Sequence, residues 1–330
     1  MLSARIPILL TACGLILGPA RAQDTLPAEQ IHVGDATVEV TFAPGKVDLP
    51  MPSIRTWITN AADAVAEYFG KFPVPHARIL LRPAEGRSGV FNGTTWGNMR
   101  SSGPFTRISL GQLTDQQDLD TDWMMTHEMV HMAFPNVTGD DREHHWIEEG
   151  MATYIEPIAR AQIGQLKVDK VWGDMARYMP QGLPRDGDQG LDHTHTWGRT
   201  YWGGALFWLL ADVQIRERTN NRKGLQDAMR GILEAGGSIE QDWPIERILE
   251  TGDKATGSTV LMDLYNQMKA TAVETDLGDL WRRLGVELNG GVVKYNDRAP
   301  LAKVRKAITV PWKDSGRKKV ATAAARHPRG

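Results

Sequence analysis

Six consecutive residues, Thr126-His127-Glu128-Met129-Val130-His131, combine the side chains that most often bind and serve a catalytic metal. On an α-helix, residues four apart lie one turn above each other. His127 and His131 then point their imidazoles into one small volume, close enough to share a single ion. Glu128 sits about 100° round the helix, beside that volume rather than in it. From there it can take a proton from a water without displacing it. Two neutral imidazoles with an adjacent carboxylate form the HExxH zinc arrangement. For these six residues alone, the competing reading is a surface helix with satisfied histidines.

Two histidines leave a catalytic zinc one protein ligand short. Seventeen residues separate His131 from Glu149, which lies in a stretch that reads as a second helix. Asp140 and Glu143 have capping-box spacing just before it, and Pro135, Asn136 and Gly139 mark a turn between the helices. A helix, a short turn and a returning helix can bring Glu149 over the histidine pair, closing the set as His127, His131, Glu149 and water. Trp146-Ile147-Glu148-Glu149-Gly150-Met151-Ala152 also resembles the W-L-x-E-G-x-A signature of the gluzincin zinc peptidases, above all the aminopeptidase-N and glycyl aminopeptidase families. In those families the Glu before the Gly is the third ligand, which the resemblance carries onto Glu149. Their usual spacing is one residue longer, so it implies a shortened loop near 136–141.

The chain has 330 residues, with 38 Lys and Arg against 40 Asp and Glu. Charges of both signs are interspersed, so nothing points to nucleic acid as a partner. Arg5, the apolar run 6–17 and Ala20-Arg21-Ala22 read as a signal peptide over 1–22, too short to span a bilayer. A periplasmic or secreted protein is expected. The alternative is a lipoprotein anchored through Cys13, since Leu10-Thr11-Ala12-Cys13 resembles a lipobox. Cys13 is the only cysteine. A chain cut after Ala22 therefore has no disulfide, no thiol nucleophile and no cysteine metal site. Stability must come from a core, which roughly 300 residues can supply.

Weak alternation before Pro52 suggests a strand, and 53–70 reads as a helix with Ser53 as N-cap and Ile54, Trp57, Ile58, Ala61, Val65 and Phe69 as its apolar face. Strands follow at 78–82 and 105–110, separated by Gly-rich sequence over 86–103. The metal-binding helix is expected over 118–134 and a long loop over 179–192. Further helices are expected at 224–233 and 260–285, the latter with Leu261, Leu264, Met268, Ala272 and Leu280 as core. The resemblance implies an α+β, thermolysin-like zincin catalytic domain. It would have an N-terminal curled sheet (23–117), a helical zinc-site core (118–225) and a helical C-terminal part (226–312). Residues 313–330 read as a basic disordered tail, solvated or weakly in contact with an anionic surface. No later stretch is long and apolar enough to cross a membrane.

The resemblance reaches three further places. Gly97-Asn98-Met99-Arg100-Ser101 stands where aminopeptidase-N relatives carry G-x-M-E-N, whose Glu captures the substrate's amino group. Arg100 cannot bind an ammonium group, which favours an endopeptidase over an aminopeptidase. An ordinary edge strand with a solvated Arg is the alternative. Tyr201-Trp202-Gly203-Gly204-Ala205 resembles their Y-x-K-G-A, with Gly203 in place of Lys. That implies Tyr201 as the donor to the oxyanion. A buried, packing Tyr is the competing reading. The third place, Leu209 to Arg216 followed by Thr219-Asn220, is most similar to the glycyl aminopeptidase branch. His193 and His195 either serve the oxyanion or line the pocket, or else are exposed loop residues. His144 and His145 read as surface or supporting positions. The expected function is an exported zinc metallopeptidase with one zinc ion per chain, acting on a peptide or protein substrate. Its alternative is a non-catalytic gluzincin-like protein that binds zinc or peptide without turnover.

Overall fold

The computed structural model describes residues 28–97 and 103–311. The signal segment with Cys13, the residues around Arg100 and the basic tail lie outside them. Where the sequence suggests one strand, β1 (Glu29–Val33) and β2 (Ala36–Phe42) form an antiparallel hairpin. Helix α1 (Met51–Phe69) buries Ile54, Trp57, Ile58, Ala61, Val65 and Phe69, the face that its periodicity predicts. Its N-cap is Pro50 rather than Ser53, because Pro52 already fits the first turn.

Strands β3 (His76–Ala84), β4 (Val90–Trp96) and β5 (Phe105–Gly111) complete a mixed sheet in the order β1-β2-β3-β5-β4. The inner pairings β2–β3 and β3–β5 are parallel, and β4 is an antiparallel edge strand. Strand β4 lies within the Gly-rich stretch over 86–103. Its Asn92-Gly93 pair forms a bulge. Asn92 has φ 55°, and the pairing with β5 shifts between Phe91 and Thr94.

The helix expected over 118–134 is shorter. Helix α2 (Gln116–Thr121) stops, and α3 (Met124–His131) starts afresh. The Asp122 carboxylate between them accepts from the Met124 and Met125 amides at 3.0 and 3.1 Å and from Trp57 Nε1 at 2.9 Å. These bonds tie the start of α3 to α1, and so fix where its histidines fall. After β6 (Asn136–Val137) comes α4 (Asp141–Gln162), capped by Asp140, whose carboxylate accepts from the Arg142 amide at 2.9 Å.

Helix α5 (Val168–Tyr178) and a 3₁₀ turn (Met179–Gly182) lead into an irregular segment, which ends in a π-turn (Arg199–Gly203) running straight into α6 (Gly204–Arg218). Helices α4 and α6 touch backbone to backbone. A Cβ on Gly150 would lie 2.3 Å from Gly204 Cα, and one on Gly204 would lie 2.2 Å from the Trp146 carbonyl. Trp208 Nε1 donates to the Ile147 carbonyl at 2.9 Å across the same contact. Trp146, Phe207 and Trp208 are buried around it, and burial of each such side chain contributes roughly 2 kcal/mol.

The remainder is α7 (Leu225–Glu234), β7 (Asp242–Trp243, parallel to β6), α8 (Ile245–Thr256), α9 (Val260–Met268), α10 (Leu277–Leu284), the hairpin β8 (Val286–Asn289) and β9 (Val292–Tyr295), and α11 (Ala302–Thr309). The single helix expected over 260–285 is thus two. The carbonyls of Met268 and Lys269 instead accept from the Leu191 and Asp192 amides, both at 2.9 Å. Asp276 then caps a new helix, and Ala272 is exposed. Among the described residues no helix is long and apolar enough to cross a membrane.

Candidate active site

Helix α3 presents His127 and His131 one turn apart, with ring centroids 4.9 Å apart and planes at 82°. Helix α4 runs back beside it. Glu149 Oε2 is 3.1 Å from His127 Nε2 and 3.6 Å from His131 Nε2. One donor atom from each of the three lies within 4.8 Å of the other two, so they could hold a metal ion. His145, one turn before Glu149, places Nε2 3.5 Å from Glu149 Oε1.

The electrostatics favour positive charge at this point. Burial works against protonation of His131. The Glu149 carboxylate beside it, with Glu128 and Glu148 behind, outweighs that and pushes its pKa to about 9. Burial likewise opposes the charge on Glu149, but His127 and His131 hold its carboxyl well below the usual range. Burial raises Glu148, whose Oε1 accepts from the Val137 amide at 3.3 Å.

Strand β4 forms the facing wall. Thr95 Oγ1 lies 2.8 Å from Glu128 Oε2 and 3.0 Å from the Glu128 carbonyl. A hydroxyl has one proton to give, and the carboxylate is the stronger acceptor. The contact depends on Gly93. A Cβ there would fall 2.5 Å from Glu128 Oε1 and 2.8 Å from Met124 Cγ. Glycine alone lets the strand come this close.

Between these walls lies a cleft of about 330 Å³, lined by Glu128, His131, Glu148, Glu149 and Tyr201 on one side and Gly93 to Thr95 on the other. Tyr201 is half-buried on the π-turn. Burial, then the charges of Glu149 and Glu128, push its pKa up to about 12, so the hydroxyl keeps its proton at neutral pH. Two exposed indoles flank these groups: Trp123 packs edge-on against His127 at 5.3 Å, and Trp197 lies against Tyr201 at 5.6 Å.

Of the residues singled out in the sequence, His127, Glu128, His131, Glu149 and Tyr201 are brought together. His193 and His195 are not among the described residues lining this cleft. Both are exposed, and His193 borders a separate cavity with His144. Arg100 lies outside the described residues. Thr95, Gly93 and Glu148 join the site without having been anticipated. Glu148 could have been suspected from its place beside Glu149, whereas Thr95 carries no local signal.

No protein-family model and no curated protein matches this chain. Among solved structures, an aminopeptidase N family protein from Idiomarina loihiensis superposes with a TM-score of 0.58 at 13% identity, over 84% of this chain and 53% of that one. The chain has an aminopeptidase N family fold. An M1 zinc metallopeptidase from Deinococcus radiodurans also aligns, with a TM-score of 0.49 at 16% identity, over 77% of this chain and 52% of the other. The chain thus spans about half the length of either. In this fold the two-helix unit α3–α4, the edge strand β4 and the start of α6 converge on one cleft.

Proposed function

We propose that this chain is a zinc metallopeptidase, with His127, His131 and Glu149 as the protein ligands and Glu128 as general base. The observation that carries the reading is the convergence of three donors from two helices, with Glu128 and Tyr201 lining the same cleft. Two imidazoles and one carboxylate, all more than half buried in a place that favours positive charge, fit a catalytic zinc site with a position left open. When bound, zinc supplies Lewis acidity, lowering the pKa of its water towards about 7 and polarising a carbonyl oxygen.

Glu128 takes the proton of the attacking water on one carboxylate oxygen and delivers it to the leaving amine nitrogen. Thr95 donates to Glu128 Oε2 and so holds the carboxylate in a single orientation. Tyr201, protonated at neutral pH, donates to the oxygen on which negative charge develops. The exposed indoles of Trp123 and Trp197 offer flat apolar surface to a peptide on either side of the scissile bond. The N-terminal sequence makes the enzyme an exported one. The Arg at position 100 makes it an endopeptidase in preference to an aminopeptidase.

Purified full-length protein, stripped with a chelator and reloaded with zinc, should regain hydrolysis of a peptide mixture in proportion to zinc bound. Peptides with acetylated N-termini should be cut at least as well as free ones. Cleavage that survives complete metal removal would contradict the zinc reading. Cleavage confined to free N-termini would contradict the endopeptidase one.

A further inference from the structure

A second group of potential metal-ligating side chains starts from the same helix, ahead of Glu149. Glu143 and His144, in the first turn of α4, face Asp192 of the segment leading to Tyr201. One donor atom from each lies within 4.8 Å of the other two. They border an open cavity of about 460 Å³, shared with His193, Glu246, Tyr265 and Lys269.

Three features distinguish this place from an ordinary acidic surface. First, Asp192 is only 4% exposed and is held from behind, with Trp146 Nε1 donating to Oδ1 at 2.7 Å and the Tyr265 hydroxyl to Oδ2 at 3.0 Å. Each oxygen retains a free lone pair. Second, His144 has Nε2 3.4 Å from the Tyr265 hydroxyl, while its Nδ1 is buried without a hydrogen-bond partner among the described residues. An imidazole nitrogen without a partner is uncommon in a folded chain. Third, Glu143, Asp192 and Glu246 bring three carboxyl groups to a cavity whose one lysine, Lys269, sits with Nζ 4.7 Å above the Tyr265 ring.

We propose that Glu143, His144 and Asp192 form a second metal site, for a borderline divalent cation and Zn²⁺ foremost. One imidazole with two carboxylates is a donor set that such ions accept, and water from the cavity can complete it. The Trp146 and Tyr265 bonds supply the outer support that ligating carboxylates usually have. The site's position defines its role. Glu143 and His144 belong to the helix that carries Glu149, and Asp192 belongs to the segment that delivers Tyr201. That segment is itself anchored to α9 through the Leu191 and Asp192 amides. An ion here clamps the start of α4 to the path of Tyr201, so it acts on the spacing of the cleft rather than on its chemistry.

The test uses chelator-stripped full-length protein titrated with Zn²⁺ alone by calorimetry, with melting temperature followed in parallel. Wild type should bind two equivalents. His127→Ala, which disables only the cleft, should keep the second equivalent and still melt several degrees higher with excess Zn²⁺. Glu143→Gln/His144→Gln should lose that equivalent and keep the other. Glu143→Gln alone, the milder change, should weaken it at least tenfold. No equivalent bound by His127→Ala would mean an ion-pair cluster only and would overturn the proposal, whatever wild type binds. So would two equivalents persisting in Glu143→Gln/His144→Gln. Because the second site is read in the His127→Ala background, its failure and failure of the peptidase reading give different results.

Discussion

On one wall of the cleft, α3 and α4 bring histidines and glutamates together; on the other, β4 brings a glycine and a threonine hydroxyl. The helical wall supplies the ionisable groups and holds them by regular backbone, with Asp122 tying the start of α3 and the Gly150–Gly204 contact seating α4. The strand wall carries no charge and contributes by closeness, through a bulge at Asn92 and a missing side chain at Gly93. The difference separates two tasks. Holding an ion depends on which donors converge. In the proposed reaction, proton transfer depends on how Glu128 is aimed, and its hydrogen-bond partner Thr95 is 33 residues away in the chain.

If that division is right, substitutions on the two walls should differ in kind. Glu128→Gln on the helical wall should reduce kcat by a factor of about 10⁴, since an amide cannot accept the water's proton, while zinc content stays at the wild-type level. Zinc loss in this variant would show that Glu128 is itself a ligand. Tyr201→Phe should lower kcat and kcat/KM together by about 10²- to 10³-fold, the usual cost of one oxyanion donor, again with zinc retained. Normal kcat with a lower Tm would instead make Tyr201 a packing residue. Thr95→Val on the strand wall should have the smallest effect, about a tenfold loss of kcat with KM within twofold of wild type. Thr95→Ser should restore the rate. A Ser variant as slow as Val would mean that packing by the methyl group, not the hydroxyl bond to Glu128, is what matters.

The helical wall was readable in the sequence for a physical reason. Helix periodicity alone stacks His127 on His131, and one turn followed by one helix returns Glu149. Tyr201 was reached through the resemblance of its flanking residues, not through spacing. Thr95 and Gly93 were not readable, because an edge strand's neighbour across a cleft leaves no local pattern. The Gly-rich composition of 86–103 gives β4 no alternating pattern of its own. His193 and His195 drew attention by lying close to Tyr201 in sequence. The amides of Leu191 and Asp192 bond to the end of α9, and His193 comes to border the other cavity. The same bonds end α9 where an unbroken helical pattern suggested continuation. In both places a long-range backbone contact overrode local preference.

The ligand set is tested most directly by the zinc content of Glu149→Ala beside wild type, both in a Glu143→Gln/His144→Gln background so that only the cleft can bind, and both stripped, reloaded with one equivalent of Zn²⁺ and dialysed against metal-free buffer. Wild type should retain close to one zinc per chain, and the variant should lose most of it while keeping its fold by circular dichroism. A folded Glu149→Ala protein that holds zinc as firmly as wild type would contradict the assignment of His127, His131 and Glu149 as the ligands.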